Sequence, residues 1–161
     1  MASFRADLID GLLGETAVTD VVGNRIFPII LTFEDMLNTA ANKWPRITVE
    51  QLERRQENNL NDFSCLYFSN MQISIFHSIH LKAARSRRND VVIKERQRVR
   101  NSMDELFEVV ETYLKGLRQT TVGEHFIRKS QIINSIDEEY QIDRNRIIVV
   151  NRMIYDVTYS K

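Results

Sequence analysis

Asp137, Glu138 and Glu139 form the densest acidic run in this chain, and the stretch from Lys82 to Arg100 is the densest basic one. On an extended segment Asp137 and Glu139 share a face, a spacing from which two carboxylates can grip divalent cations for phosphodiester hydrolysis. That chemistry also needs a lysine or histidine beside the acids to orient water, and none adjoins them. The run therefore reads as a solvated acidic edge, or as one half of a contact with a basic patch. His77 and His80 stand three apart in an extended stretch, so they point to opposite faces and cannot share an ion without a bend. With His125 remote in sequence, surface or sheet-edge positions are expected for all three. Cys65 is the only cysteine, which excludes an intrachain disulfide, a thiolate zinc site and a Cys-x-x-Cys redox pair. It reads as a small hydrophobe of the core. No serine has the context of a nucleophile elbow. Gly11-Leu12-Leu13-Gly14 lacks the lysine and the preceding strand that a phosphate cradle requires. No enzymatic centre, cofactor or metal is expected.

The basic run invites a second chemistry. Lys82, Arg85, Arg87 and Arg88, followed by Arg96, Arg98 and Arg100, could face a polyanion. No aromatic residue is interleaved between Lys82 and Arg88, so stacking on single strands is not expected. The same residues read equally as a charged loop at 82–90, or as a patch facing another subunit. The formal net charge of zero conceals this segregation: residues 1–70 sum to −4, residues 71–100 to +6 and residues 101–161 to −2. A dipolar chain of this kind suits partners with complementary patches, including copies of itself, better than it suits general nucleic-acid binding.

The elements that must position these residues follow from periodicity. Ser3 caps a first helix in which Phe4, Leu8, Ile9, Leu12 and Leu13 recur at helical spacing. A second short helical turn covers 16–22, and Gly23-Asn24 turns the chain into a brief extended piece ending at Pro28. Residues 29–45 read as a long, partly ordered connection, with a short helix capped by Thr32 as the alternative. A strand of about five residues, Arg46 to Glu50, comes next. The almost wholly polar stretch 51–62 reads as a solvated hairpin arm or loop. Strands follow at 63–68 and from Met71 onward, where Met71, Ile73, Ile75, Ile79 and Leu81 alternate with polar residues.

From Asn89 or Asp90 a long helix carries the apolar stripe Val92, Val99, Met103, Leu106, Phe107, Val110, Tyr113, Leu114 and Leu117. Its first turns place positive charge against the positive helix end, so a break near Asn101-Ser102 is an alternative to one continuous helix. Residues 124–130 are ambiguous, and 132–142 look extended. The strongest strand signal is the segment 146–159. Its odd positions Ile147, Val149, Met153, Tyr155, Val157 and Tyr159 can complete a core. Its other face carries Ile148, Val150 and Ile154 and is too apolar to be left in water, so burial against a neighbouring subunit is expected there. The order of elements predicts an α+β domain. Its sheet is mainly antiparallel or mixed, packed on one face by the N-terminal helix and the long central helix.

The totals agree with this reading. A chain of 161 residues with 43% hydrophobic residues, five glycines and two prolines fits one globular domain, 1–161. The longest apolar runs fall far short of a membrane span, and Met1 to Asp10 lack the pattern of an export signal. A product made and folded in a cytoplasm, with no membrane partner, is expected.

The passage Val21-Val22-Gly23-Asn24-Arg25-Ile26-Phe27-Pro28 resembles one that follows the first helices in the tail terminator, or tail completion, proteins of long-tailed (siphovirus) bacteriophages. The strand near Pro45, the polar arm, the strand Met71 to Phe76, the basic-to-acidic helix and the final strand extend the resemblance over nearly the whole chain. Residues 29–44 and the basic stretch 82–100 depart from the shortest members of that family.

The resemblance implies a structural virion protein without a reaction. In that family a ring, typically a hexamer, caps the tail tube at its head-proximal end, stops elongation and offers a docking surface to the head connector. The implied partners are copies of the chain itself, monomeric before assembly in the host cytoplasm, together with the tail tube protein and a head completion or connector protein. The net −4 of residues 1–70 and the net +6 of residues 71–100 could meet across a head-to-tail ring contact, and Lys82, Arg85, Arg87, Arg88, Arg96, Arg98, Arg100, Asp137, Glu138 and Glu139 are the candidate electrostatic interface. Direct DNA contact through residues 82–100 is the alternative.

Overall fold

A computed structural model describes residues 3–29, 31–58, 65–80 and 89–161. Helix α1 (Phe4–Gly14) opens as its sequence dictates: the Ser3 hydroxyl accepts from the amide of Ala6, and Phe4, Leu8 and Leu12 form one buried stripe. Helix α2 (Thr16–Val22) adds Val18 and Val22 to the same core. At Gly23 the backbone takes φ +60°, a conformation open to glycine at little cost, and the chain turns into strand β1 (Ile26–Phe27).

The rest of the sheet is built from long strands: β2 (Arg46–Asn58), β3 (Cys65–His80), β5 (His125–Asp143) and β6 (Arg146–Ser160), with a two-residue β4 (Thr121–Val122). The spatial order is β1-β2-β3-β6-β5-β4. Only β1 and β2 run parallel; every other pair is antiparallel. The sheet is therefore mixed, and its centre is the β3–β6 pair, in register from Leu66 against Ser160 to His80 against Arg146. Long helix α4 (Asn89–Gly116) crosses one face together with α1 and α2. Val99, Met103, Leu106, Val110 and Leu114 meet Met71, Ile73, Ile75 and Ile79 from β3 and the odd positions 147, 149, 153, 155, 157 and 159 of β6. The α+β architecture expected from the sequence is the one observed.

Four local readings change. Helix α4 runs unbroken through Asn101 and Ser102. The ambiguous stretch 124–130 opens the nineteen-residue strand β5. The polar stretch after Glu50, expected as a hairpin arm or a loop, is an arm: through Asn58 it continues β2, hydrogen-bonded to β3. Strand pairing supplies its stability, and the guanidinium groups of Arg54 and Arg55 lie over the rings of Tyr67 and Phe68 at 4.7 and 5.1 Å. Residues 59–62 of the expected arm lie outside the described residues, as does the basic loop through residue 88.

The fourth change concerns residues 29–45. They contain helix α3 (Phe33–Asn38) and a 3₁₀ turn (Ala41–Lys43). The Thr32 hydroxyl accepts from the amide of Asp35 while the Asp35 carboxylate accepts from the amide of Thr32, a reciprocal capping box. This segment closes over the sheet face opposite α4. Leu31 and Trp44 pack there on Phe76, Ile148 and Val150 to make a second, smaller core.

Candidate functional site

The acidic run of β5 and the basic first half of α4 meet within one chain. Asp137 and Glu139 are two apart on β5 and so project to the face that α4 crosses. Arg96 and Arg100, four apart on α4, project down to them. Arg100 donates to Glu139 at 2.7 Å, and a second Arg100 nitrogen lies 3.9 Å from Asp137. Arg96 donates to the same Glu139 carboxylate at 3.2 Å. Asp137 also accepts from the side-chain amide of Asn151 at 2.9 Å. The hydrogen bond from Arg100 is the main reason that the Glu139 carboxyl is held below the usual range, with Arg96 adding to it. Glu138, between them, points to the other face, where it accepts from Tyr140 and pairs with Arg152 at 3.3 Å. Arg98 lies off this seam and pairs with Glu95, one helical turn earlier, at 2.7 Å.

Guanidinium groups thus stand where a nuclease would hold its cations. Among the described residues, no cluster of three or more His, Cys, Asp or Glu side chains is arranged to hold a metal ion. Also among them, no helix is long and apolar enough to cross a membrane. The charges expected to face a second subunit face each other instead. Of the basic residues singled out from sequence, Arg96 and Arg100 are engaged by β5 and Arg98 by its own helix. Lys82, Arg85, Arg87 and Arg88 lie outside the described residues.

The expected apolar interface also changes character. Ile148 and Val150 are fully buried, and the cover comes from Leu31 and Trp44 of the same chain rather than from a neighbour. Segment 29–45 was the missing lid. Ile154, further along β6, is only half-buried because the lid does not reach that far.

Two histidines depart from expectation by being buried. His77 lies under α4, and burial pushes its imidazole pKa down to about 4, with Arg98 adding repulsion. Its Nδ1 accepts from the amide of Ser78 at 2.8 Å. His125 is held by Asp7 across the core, Nδ1 to Oδ2 at 2.7 Å, with the rings of Phe4 and Tyr159 against it edge to face. Periodicity cannot reveal that contact, since its partners lie far apart in the chain.

Large apolar side chains are exposed at the margins of the sheet and on the helices, among them Ile93 on α4 and Leu13 on α1. Ile133, Ile136 and Tyr140 are exposed on β5, Leu52 is exposed on β2, and Ile29 and Phe33 are exposed beside β1 and on α3. A shallow cleft between α3 and β5 is lined by Phe33, Met36, Tyr140, Gln141, Ile142 and Arg152. These side chains can bury surface against a protein neighbour, whereas nothing about them suggests a small-molecule reaction.

No protein-family model matches the sequence, and no curated protein matches it. Among solved structures, the fold is similar to that of a chain from the "virion of native gene transfer agent (GTA) particle". The TM-score is 0.59 with 6% sequence identity, and the alignment covers 99% of this chain and 96% of that one. The likeness extends from end to end and is a likeness of fold.

Proposed function

We propose that this chain is a structural subunit of a virion. It assembles as a ring, a hexamer by the resemblance in its sequence, at the head-proximal end of a tail tube. There it occupies the growing end in place of another tube subunit, stops elongation and presents a docking face to the head connector. No bond is made or broken; the mechanism is competition between protein interfaces. Assembly takes place in the host cytoplasm. The observation that carries this reading is the end-to-end fold similarity to a chain of a virion particle, without extra domains on either side of the comparison.

The exposed apolar residues at both margins of the sheet suit a protein that buries surface only on joining a partner. The nucleic-acid alternative loses support from the engagement of Arg96, Arg98 and Arg100 with Glu139 and Glu95. Deleting the gene in its parent particle tests the proposal. Overlong tail tubes lacking heads are expected. Tubes of normal length, joined to heads without this protein, would overturn it.

A further inference from the structure

We infer that copies of this chain join edge to edge, with the outer margin of β2 pairing to the outer margin of β5 of the next copy in an antiparallel ladder. The inference rests on the ring reading above and names the surface through which such a ring would close.

The first observation is that both margins are open. Among the described residues, β4 pairs with β5 only at His125 and Phe126, and the carbonyl and amide of Ile127 are taken by Gln119 and Thr120. Beyond that point no described strand covers the outer side of β5 down to Asp143. On the opposite margin β1 pairs with β2 only at Ile47 and Thr48, and no described strand covers β2 from Val49 onward.

The second observation is that neither margin, over β2 and residues 130–143 of β5, carries the proline or lysine that often protects a solitary edge, although both carry other charged residues. Open edges are commonly blunted by proline or by lysine. Both prolines of the chain, Pro28 and Pro45, lie outside these strands, and neither β2 nor residues 130–143 of β5 contain a lysine. Exposed Leu52, Ile133, Ile136 and Tyr140 sit there instead.

The third observation is a matched pair of bulges. On β2 the register shifts between Gln51 and Glu53, leaving Leu52 as the extra residue. On β5 the second of three register shifts falls between Ile132 and Asn134, leaving Ile133 as the extra residue. Gln51 pairs with Met71, Met71 with Tyr155, and Tyr155 with Ile132. Both bulges therefore adjoin one transverse row of the sheet. Leu52 lies just past that row toward Glu53 and Gln131, and Ile133 just past it toward Glu50 and Asn134, so the two bulged residues, each 51% exposed, flank the row from opposite sides.

Rotation about a ring axis moves no residue along that axis. With the strands running along the axis, the transverse row of one copy meets the same row of the next. Because β2 runs opposite to β5, the new pairing is antiparallel: Gln51 falls beside Ile132 of the neighbouring copy, and Leu52 and Ile133 become diagonal neighbours across the seam. The contact is head-to-tail and uses a different surface on each side. Bulges can also serve to turn an edge away from pairing, so the test must separate the two roles.

In a Cys65→Ser background, Leu52→Cys and Ile133→Cys are introduced singly and together, and the concentrated full-length protein is treated with a short bismaleimide cross-linker. Diagonal neighbours across an antiparallel pair lie about 7–8 Å apart, beyond a disulfide but within the linker's reach. The double variant is expected to give a ladder of covalent multimers, and neither single variant is expected to do so. Amide hydrogen exchange at 49–55 and 128–134 is expected to slow about tenfold or more on assembly, as newly paired strands require. Rings visible by electron microscopy, with no cross-linking and unchanged exchange at both margins, would overturn the edge contact and leave the tail reading standing. Dimers from either single variant would overturn it by showing a two-fold contact. Cross-linked multimers from a protein whose deletion leaves tail length normal would support the contact and overturn the tail reading. Protein that stays monomeric and uncross-linked even with tail tubes present would overturn both.

Discussion

The Asp7 carboxylate fills the space in which a side chain on Gly123 would have to stand. A Cβ built on Gly123 would lie 2.2 Å from Asp7 Oδ2, and the backbone there has φ +56°. That carboxylate accepts from the amide of Glu124 at 3.1 Å as well as contacting His125. One buried acid thereby fixes the turn that feeds β5 to the first helix. Gly123→Ala combines a strained positive φ with a collision against buried polar atoms, and each costs about 1–3 kcal/mol. The expected loss of stability is about 2–4 kcal/mol by urea denaturation. Asp7→Ala, which strands the Glu124 amide and His125, is expected to cost about 1–3 kcal/mol. A Gly123→Ala protein as stable as wild type would contradict this account.

The seam between Arg100 and Glu139 is short but partly solvated, with side-chain exposures of 35% and 30%. Such pairs contribute about 1 kcal/mol or less. A double-mutant cycle with Arg100→Gln and Glu139→Gln is expected to give a coupling energy in that range, and a smaller one in 1 M salt. A coupling of several kcal/mol would mean that the seam is far drier than these exposures indicate.

His77 makes stability depend on pH. Its folded pKa of about 4 lies below the 6.5 of an exposed imidazole. Between those values the unfolded chain binds a proton that the native one does not, so stability is greatest above pH 6.5 and falls as pH drops toward 4. The full difference is on the order of 3 kcal/mol. Most carboxylates stay ionised down to about pH 5, so the slope between pH 6.5 and 5 reports the histidines, and the part that His77→Gln removes reports His77. The urea midpoint is expected to fall over that interval in the wild type and to fall less in His77→Gln. Identical midpoints for wild type at pH 7 and pH 5 would refute the assignment.

The second core should behave as part of the single chain. Phe76 is fully buried with Ile148 and Val150 beneath Leu31 and Trp44. Phe76→Ala is expected to cost about 3–5 kcal/mol. The loss should not depend on protein concentration, because the cover is intramolecular. A penalty that shrinks at concentrations where subunits dissociate would show that a neighbour supplies the cover instead.

Much of this was legible from residue order because burial on one face imposes a period. Strand β6 alternates since its odd positions enter the main core, and α4 carries its stripe for the same reason. The polar half of β2 was legible only as an arm or a loop. Its residues 52–56 are exposed, so no apolar period marks it as a strand. Helix α3 was barely legible because it contains no fully buried residue; Met36 alone packs from it against the core that its flanks, Leu31 and Trp44, complete. The segregation of charge is legible as a capacity for complementary contacts, but it does not say which segments match or whether a match lies within a chain or between chains. Only the crossing of α4 over β5 shows that Arg96 and Arg100 meet Glu139 at home. Likewise, Asp7 and His125 carry no mark of their contact, since neither the spacing nor the type of the intervening residues encodes it.

The central position of the β3–β6 seam has a kinetic consequence. Strands β5 and β6 are joined by the tight turn at Arg144 and Asn145, and β2 and β3 are neighbours in sequence, so each pair can zip locally. The seam between them joins Leu66 to Ser160 and His80 to Arg146, with the whole of α4 intervening. Loop closure over that distance must precede any pairing there, which makes the seam the slow, high-contact-order event in folding. Until it closes, two half-sheets each offer an inner edge as attractive as the outer ones. Exchange of halves between nascent chains is then the natural misfolding route, and rapid capture of β3 by α4 is the natural safeguard.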